Sequence, residues 1–263
     1  MPLWLASSVA AAAPPTLSAE AVSFVDRVRS DVDWLAGVES RAVGQPGHDR
    51  IVEELLAKVR AVPGAKVWTR QFPVLVPSVE RAELRIESGP LAGVHRVYPL
   101  WPAGVKPHTT PAGGIEGRLI YVGRGESARV PPRSLDGQIA AVELAGGNWE
   151  NAFNAGAAAV LLLGSPQVSE ADARAHTTPI PIDAPRFYVP DGPLAEALRD
   201  GRAGAGRLLA QAGWREATAT DIWVLVPPAS PANPPRRALA VAAPLDAMSV
   251  VPQRAPGADP MSC

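Results

Sequence analysis

Hydrophobic residues near the N-terminus recur with the period of an α-helix, and charged residues lie between them. The first apolar stripe consists of Phe24, Val25, Val28, Val32 and Leu35. The second consists of Ile51, Val52, Leu55, Leu56, Val59 and Val62. This pattern predicts a helix that begins after Ser18 and stops at Gly37, and a second helix that is capped by Asp49 and ended by Pro63-Gly64.

Farther along the chain the period changes to two, which is typical of half-buried strands. The alternation predicts one strand over residues 66–74 and another over residues 82–86. Near the C-terminus, apolar runs over residues 221–226 and 237–243 flank the proline-rich loop 227–235. Because both runs are apolar almost without interruption, we expect strands of a sheet that is covered on both faces.

The middle of the chain predicts a β-α-β unit. Its elements are a glycine-bracketed strand over 117–123, a strand over 138–144, a short helix over 149–156 and a buried strand over 159–163. The elements predicted after it are a strand over 186–189, a helical turn over 194–198 and a closing strand over 207–210.

Composition argues against several functional classes. The 263 residues include 29 prolines and 23 glycines, which favours short elements joined by stiff loops over a helical bundle. The net charge is -1 and no basic face is present, so we expect no nucleic-acid partner. The single cysteine, Cys263, excludes an intramolecular disulfide and a multi-thiolate zinc site. No apolar run reaches the length of about 18 residues that a membrane-spanning helix needs.

The first residues resemble a signal peptide. Residues 3–13 are apolar and end in small residues before Pro14-Pro15, as in an apolar core followed by a cleavage site. No Lys or Arg precedes them, so an ordinary Ala/Pro-rich leader is the alternative. We interpret residues 1–17 as a leader or signal-like segment and expect an extracellular or periplasmic protein.

Four histidines are the candidates for imidazole chemistry, and none has the spacing of a metal site. His48 follows Gly47 at a helix start, so we interpret it as a residue of the cap region rather than as the partner of Asp49 in an acid/base pair. The other histidines, which lie in loops rich in Pro and Gly and are expected to be solvated, are His95, His108 and His176.

Other candidate residues also have ordinary structural interpretations. Glu143 and Glu150 flank a glycine turn and are expected to be solvated rather than to form an acid/base pair. Trp101 and Trp149 are expected to pack in the core or between domains. The glycine-rich segments near residues 123 and 201 lack the strand, G-x-G-x-x-G and helix order of a nucleotide site, so we interpret both as turns.

Four segments carry a resemblance to a known family. In chain order they are Arg41-Ala-Val-Gly44-Gln-Pro46-Gly47 before a long helix, Gly114 to Gly164 with Asp136-Gly137 and Asn154-Ala-Gly-Ala-Ala-Ala-Val-Leu-Leu, then Ala242-Ala-Pro-Leu-Asp246 and Pro256-Gly-Ala-Asp259. The outer segments resemble the R-x-x-G-x-P-G, A-H-x-D and G-A-D-D motifs of di-zinc aminopeptidases of the aminopeptidase Y and glutamate carboxypeptidase type. The middle segment resembles the protease-associated domain inserted in many of these enzymes.

The resemblance implies a degenerate metal site. In the family, the His of A-H-x-D binds one zinc, the Asp two places later orients that His, and the first Asp of G-A-D-D bridges both metals. Here Pro244 stands at the His position, so Asp246 has no imidazole to orient. Asp259 keeps the position of the bridging carboxylate and is the one metal-ligand candidate, although Pro260 follows it. The remaining ligands and the Glu general base lie in family members beyond a position equivalent to 263, so no catalytic residue and no zinc are expected in this chain.

The sequence therefore predicts an α/β protein: an incomplete three-layer αβα peptidase-like half with an inserted protease-associated domain of mixed β-sheet and short helices. The predicted peptidase-like parts are residues 18–84 and 214–263, and the insertion is 85–213. The first hypothesis is a non-catalytic, zinc-aminopeptidase-like protein whose inserted domain binds a substrate or partner polypeptide. The alternatives are the N-terminal part of an active zinc exopeptidase completed by further residues, a pure interaction module, and an exopeptidase with unusual ligands. An unfinished sheet also predicts self-association.

Overall fold

The computed structural model describes residues 19–102, 106–126, 130–168, 183–228, 238–247 and 249–256. Its helices are α1 (Ala19–Ala36), α2 (Pro46–Arg60), α3 (Trp149–Asn154) and α4 (Pro193–Arg199). Its strands are β1 (Lys66–Ile86), β2 (Gly93–Arg96), β3 (Tyr98–Pro99), β4 (Ile115–Tyr121), β5 (Ile139–Glu143), β6 (Ala159–Leu163), β7 (Arg186–Val189) and β8 (Ala205–Leu225). The leader segment, His176 and Asp259 lie outside the described residues.

The described strands form one eight-stranded mixed sheet in the order β2-β1-β8-β4-β5-β6-β7-β3. β4, β5, β6 and β7 run parallel to one another, whereas β1, β2 and β8 pair antiparallel. β4 joins the two parts through an antiparallel pairing with β8. The mixed α/β class predicted from the sequence is confirmed, and the predicted bounds of β6 and β7 are the observed ones.

The parallel strands are covered on both faces, as their continuous apolar sequences predict. Successive side chains of a strand point to opposite faces, and accordingly Ala140 and Val142 pack on one face of β5 whereas Ile139 and Ala141 pack on the other. Helix α3 contributes Trp149 to the core on the face of Ala140 and Val142, and helix α4 packs against the core on the face of Ile139 and Ala141. The main hydrophobic core therefore surrounds β4 to β7.

A long antiparallel ribbon extends from this core. β1 and β8 pair along their whole lengths, from Lys66 opposite Leu225 to Ile86 opposite Gly206, with a bulge between Val79 and Arg81. The sequence predicted two separate strands in each of these segments, which is wrong because Pro77 and the pair Gly213-Trp214 lie within paired strands instead of ending them. The predicted domain limits at 84/85 and 213/214 fall inside β1 and β8, and the division into domains stays a prediction.

The predicted strand over residues 237–243 is absent from the described part of the chain. Residues 238–243 pair with no described strand, and Leu239 and Val241 are 91% and 86% exposed. The expectation of a sheet covered on both faces therefore fails here, because no described layer of structure lies against this run. The apolar stripe of α1 is exposed for the same reason, with Phe24 59% exposed.

The two N-terminal helices meet through the end of α1. Lys58 forms an ion pair with Asp31 at 2.9 Å and lies 3.7 Å from the centre of the Trp34 ring. The predicted cap Asp49 is wrong: α2 begins at Pro46 with Gln45 at the N-cap, because proline at the first helical positions needs no N–H partner. No helix among the described residues is long and apolar enough to cross a membrane.

Candidate binding cleft beside the Arg41 turn

A buried arginine ties the start of α2 to the C-terminal segment. Arg41 is 2% exposed, and its backbone N–H donates to the carbonyl of Ala255 at 2.7 Å. Its guanidinium donates from Nε to the carbonyl of Pro256 at 2.7 Å and from Nη1 to the carbonyl of Leu245 at 2.9 Å. Because these contacts reach both ends of residues 245–256, Arg41 fixes the path of that segment beside the turn.

Two glycines make this turn sterically feasible. Gly44 has φ +83°, and a Cβ there would lie 2.9 Å from Cγ2 of Val76. At Gly47 a Cβ would lie 2.2 Å from the carbonyl oxygen of Ser40, closer than real side chains come. The spacing of Arg41, Gly44 and Gly47 in the sequence motif thus corresponds to one anchoring side chain and two positions that exclude a side chain.

His48 lies in the first turn of α2, with its ring 3% exposed. Its Nδ1 is 3.1 Å from the carbonyl oxygen of Arg41. Since a carbonyl can only accept, Nδ1 is the donor, and in the neutral ring Nε2 is then an acceptor. Nε2 is buried without a hydrogen-bond partner. The predicted cap-region position is thus close to the observed one, but the ring is buried and not solvated.

An open cleft of about 600 Å³ lies between α2, the ribbon and the C-terminal segment. Its lining includes His48 from α2, Phe72, Asp221 and Trp223 from the ribbon, and Val241 to Asp246 from the C-terminal segment. Trp223 stacks on Trp68 with ring centres 6.3 Å apart. The cleft therefore combines aromatic and aliphatic walls with a few polar groups.

Pro244 and Asp246 both line this cleft. Pro244 is exposed and offers neither a side-chain ligand nor a backbone N–H. Asp246 is half-buried. Within the described ranges, no three or more His, Cys, Asp or Glu side chains are grouped as metal ligands. Asp259, the predicted bridging ligand, lies outside those ranges, so its role stays a prediction.

The core beside β7 contains a buried cation. Arg186 is 2% exposed, lies 4.0 Å from the centre of the Trp149 ring, and has no hydrogen-bond partner at Nε. Burial, reinforced by the charge of Arg186, lowers the pKa of His108 to about 4. The prediction that His108 is solvated is wrong, because the residue is 4% exposed and its ring lies beside the backbone of Trp101 and Ala184. Trp149 is fully buried, as predicted, whereas Trp101 is 37% exposed.

A hydrogen-bonded carboxylate lies at the carboxyl ends of the parallel strands. Glu143 accepts from Arg199 at 2.8 Å and 3.1 Å and from the hydroxyl of Tyr121 at 2.8 Å. Burial opposes ionisation, but these hydrogen bonds outweigh it and hold the pKa of Glu143 below its ordinary value. The prediction that Glu143 is solvated is therefore wrong. No sequence spacing links it to Arg199, which comes from a helix two strands later.

No protein-family model matches the chain, and no curated protein matches it. Solved structures do. A zinc aminopeptidase from Bacillus subtilis superposes with a TM-score of 0.51 at 18% identity, covering 75% of this chain and 45% of that one. An aminopeptidase from Aneurinibacillus sp. gives a TM-score of 0.38 at 18% identity, with 75% and 46% covered. A peptidase precursor from Shewanella amazonensis gives 0.45 at 15% identity, with 73% and 48% covered.

The chain spans less than half the length of these structures. At such low identity the likeness concerns the fold alone. The first of the three supports a partial match of this mixed α/β chain to the zinc-aminopeptidase fold.

Proposed function

We propose that this chain is a non-catalytic, zinc-aminopeptidase-like protein that binds polypeptides. The observation that carries the proposal is Pro244, which stands in an exposed position on the wall of the 600 Å³ cleft where the resembled family has a zinc-binding histidine. Two-metal hydrolysis needs a bridging carboxylate, terminal ligands on both metals and a base that activates water. With Pro244 at this position, the cleft lacks a ligand for the first metal.

We further propose that residues 85–213 are a protease-associated domain and supply the polypeptide-binding surface. A second open cleft of about 600 Å³ lies in this region, between the end of β4 and the turn that follows α4. Arg118, Tyr121 and Arg199 line it. Arg118 is exposed at the cleft, so it is available to a partner's carboxylates or carbonyls.

The second candidate function is the N-terminal part of an active zinc exopeptidase, completed by residues outside this sequence. The partial fold match to a zinc aminopeptidase favours it. The two candidates differ in what happens to a bound peptide, which is retained intact in the first and shortened from one end in the second.

A single experiment separates them. The chain is incubated in zinc-containing buffer with a defined peptide mixture, and mass spectrometry then measures both the peptides retained and their lengths. The first candidate predicts retention without shortening, and Arg118→Glu lowers retention because it reverses the charge of the second cleft. The control is Arg133→Glu, at a side chain 86% exposed and outside the cleft. Progressive shortening contradicts the first candidate, and so does the absence of retention.

A further inference from the structure

The ribbon has an unpaired backbone edge on β8. Beyond Ala210 no described residue forms a backbone hydrogen bond with the outer side of β8, and this free stretch runs from residue 211 to residue 225. Ala210 itself shows which residues point outward: its N–H donates to Oγ1 of Thr110 at 3.0 Å, and its carbonyl accepts the N–H of Thr110 at 3.0 Å. Since the backbone N–H and C=O groups of successive residues point to alternate sides of a strand, those of the even-numbered residues of β8 point outward, away from β1.

This alternation defines a row of unpaired donors and acceptors. The row consists of Ala212, Trp214, Glu216, Thr218, Thr220, Ile222 and Val224. Its midpoint is Thr218. The whole row is exposed or half-buried, and neither proline nor a bulge interrupts it.

The opposite edge of the ribbon is protected in the usual way. Pro73 pairs with Thr218 and Pro77 pairs with Trp214, so both prolines occupy positions whose backbone groups point away from β8. Proline has no N–H, and it is placed on strand edges where pairing with another strand would be harmful. β1 therefore lacks two outward donors, whereas β8 keeps all of them.

We propose that the β8 edge is an interface between two copies of this chain, paired antiparallel about a two-fold axis at Thr218. This inference goes beyond the proposed function and concerns a different surface from the cleft lined by Arg118. Thr220, Asp221 and Ile222 of the edge also line the first cleft, beside Pro244. In this register every residue of the outward row faces an outward residue of the second copy, and Thr218 faces its own counterpart. Two eight-stranded sheets then become one continuous sheet.

Side chains specify the same register. With the axis at Thr218, Arg215 lies opposite Asp221 of the second copy, and the pair occurs twice by symmetry. One Nη of Arg215 donates to the carbonyl of Gly44 in its own chain, and the remaining guanidinium donors face Asp221 of the second copy. Trp214, 43% exposed, lies opposite Ile222. Opposite charges and aromatic–aliphatic contacts are the cross-strand pairs that stabilise antiparallel strands.

Neighbouring registers lose these pairs. Moving the axis by one residue places Arg215 opposite Ala219 or opposite Trp223, so the ion pairs are absent. Moving the axis by half a residue places outward-pointing residues of one copy opposite inward-pointing residues of the other, so their backbone groups cannot pair. One of these half-residue shifts also places Glu216 opposite Asp221 of the second copy, which are like charges. Backbone and side chains thus select one arrangement out of those the edge offers.

The test is sedimentation velocity of the complete chain over a roughly hundredfold range of concentration, where mass action reveals a dimer. We expect a monomer–dimer equilibrium. Thr218→Pro removes the central outward N–H without removing a bond to β1 and lowers the association constant at least roughly tenfold. The matched control is Leu75→Pro, which removes an outward N–H from the β1 edge and leaves association unchanged.

Charge variants test the register independently of proline. Asp221→Arg sets like charges opposite each other and weakens the dimer, and adding Arg215→Asp restores it. Circular dichroism verifies that each variant is folded. If Thr218→Pro does not fold, the Asp221→Arg and Asp221→Arg/Arg215→Asp variants decide the outcome. A monomer at all concentrations, equal weakening by Leu75→Pro, or no restoration in the double variant overturns the proposal.

Discussion

Replacing Arg41 with alanine tests whether this side chain holds the C-terminal segment against α2. Arg41→Ala removes two hydrogen bonds from a charged donor to the carbonyls of Leu245 and Pro256. Each such bond contributes about 1.5–3 kcal/mol. Both acceptors are half-buried, so water compensates part of the loss, and we expect the free energy of unfolding to fall by about 3 kcal/mol.

The assay is urea denaturation at neutral pH combined with hydrogen exchange of residues 249–256. The matched control is Arg50→Ala, whose ion pair with Glu54 is solvent-exposed, with side-chain exposures of 63% and 38%. Exposed pairs of this kind contribute about 0.3–0.5 kcal/mol. Faster exchange of residues 249–256 is expected in Arg41→Ala alone. Equal destabilisation by the two variants, or unchanged exchange, would refute the reasoning.

Further predictions concern the turn, the buried histidine and the buried carboxylate. Gly47→Ala should lower the free energy of unfolding by about 3 kcal/mol, because the new Cβ would lie 2.2 Å from the carbonyl oxygen of Ser40. Gly64→Ala is the control: the backbone there has φ +74° but no atom lies within 4 Å of the new Cβ, so thermal unfolding should show a loss of only about 1 kcal/mol. Burial lowers the pKa of His108 to about 4 from 6.5. As the pH falls from 6.5 towards 4, the unfolded chain binds a proton that the buried ring does not, so the free energy of unfolding should fall by about 3 kcal/mol. In His108→Phe this part of the pH dependence of unfolding should vanish, and an unchanged slope would count against a buried neutral ring. Glu143→Gln weakens the contact with Arg199 and should lower the free energy of unfolding by about 2 kcal/mol at neutral pH. Because the pKa of Glu143 is lowered, the stabilities of wild type and variant should converge in acid, where the carboxylate is protonated. A stability difference that does not change with pH would contradict the charged pair.

Local signals in the sequence predicted the elements of the core well. The apolar run of β6 and the short strand β7 have the predicted bounds, because a buried strand between glycine or proline loops leaves few alternatives. The ribbon was predicted less well, since proline and glycine normally end strands. Here Pro73 and Pro77 take positions whose N–H is not needed, which becomes visible only once the register is known.

In the candidate site, too, features that depend on neighbouring residues could be predicted, whereas those that depend on distant elements could not. The spacing of Arg41, Gly44 and Gly47 marked the turn, and the close approach of Gly47 to Ser40 is local. The carbonyls that Arg41 binds lie more than 200 positions away, so its anchoring role could not be predicted from the spacing. The burial of His108 and the pairing of Glu143 with Arg199 depend on elements far apart in the chain. The run 237–243 was read as a covered strand from its apolar composition, but coverage depends on a neighbouring layer that composition does not reveal.

The central proposal is that this chain binds polypeptides without a zinc peptidase centre. Its most direct test is the zinc content of the purified chain after equilibrium dialysis against zinc, measured by mass spectrometry of the metal. Because Pro244 offers no ligand where the resembled family has its zinc-binding histidine, the proposal predicts no stoichiometric zinc. Two zinc ions held tightly per chain, and released by Asp259→Ala, would contradict it.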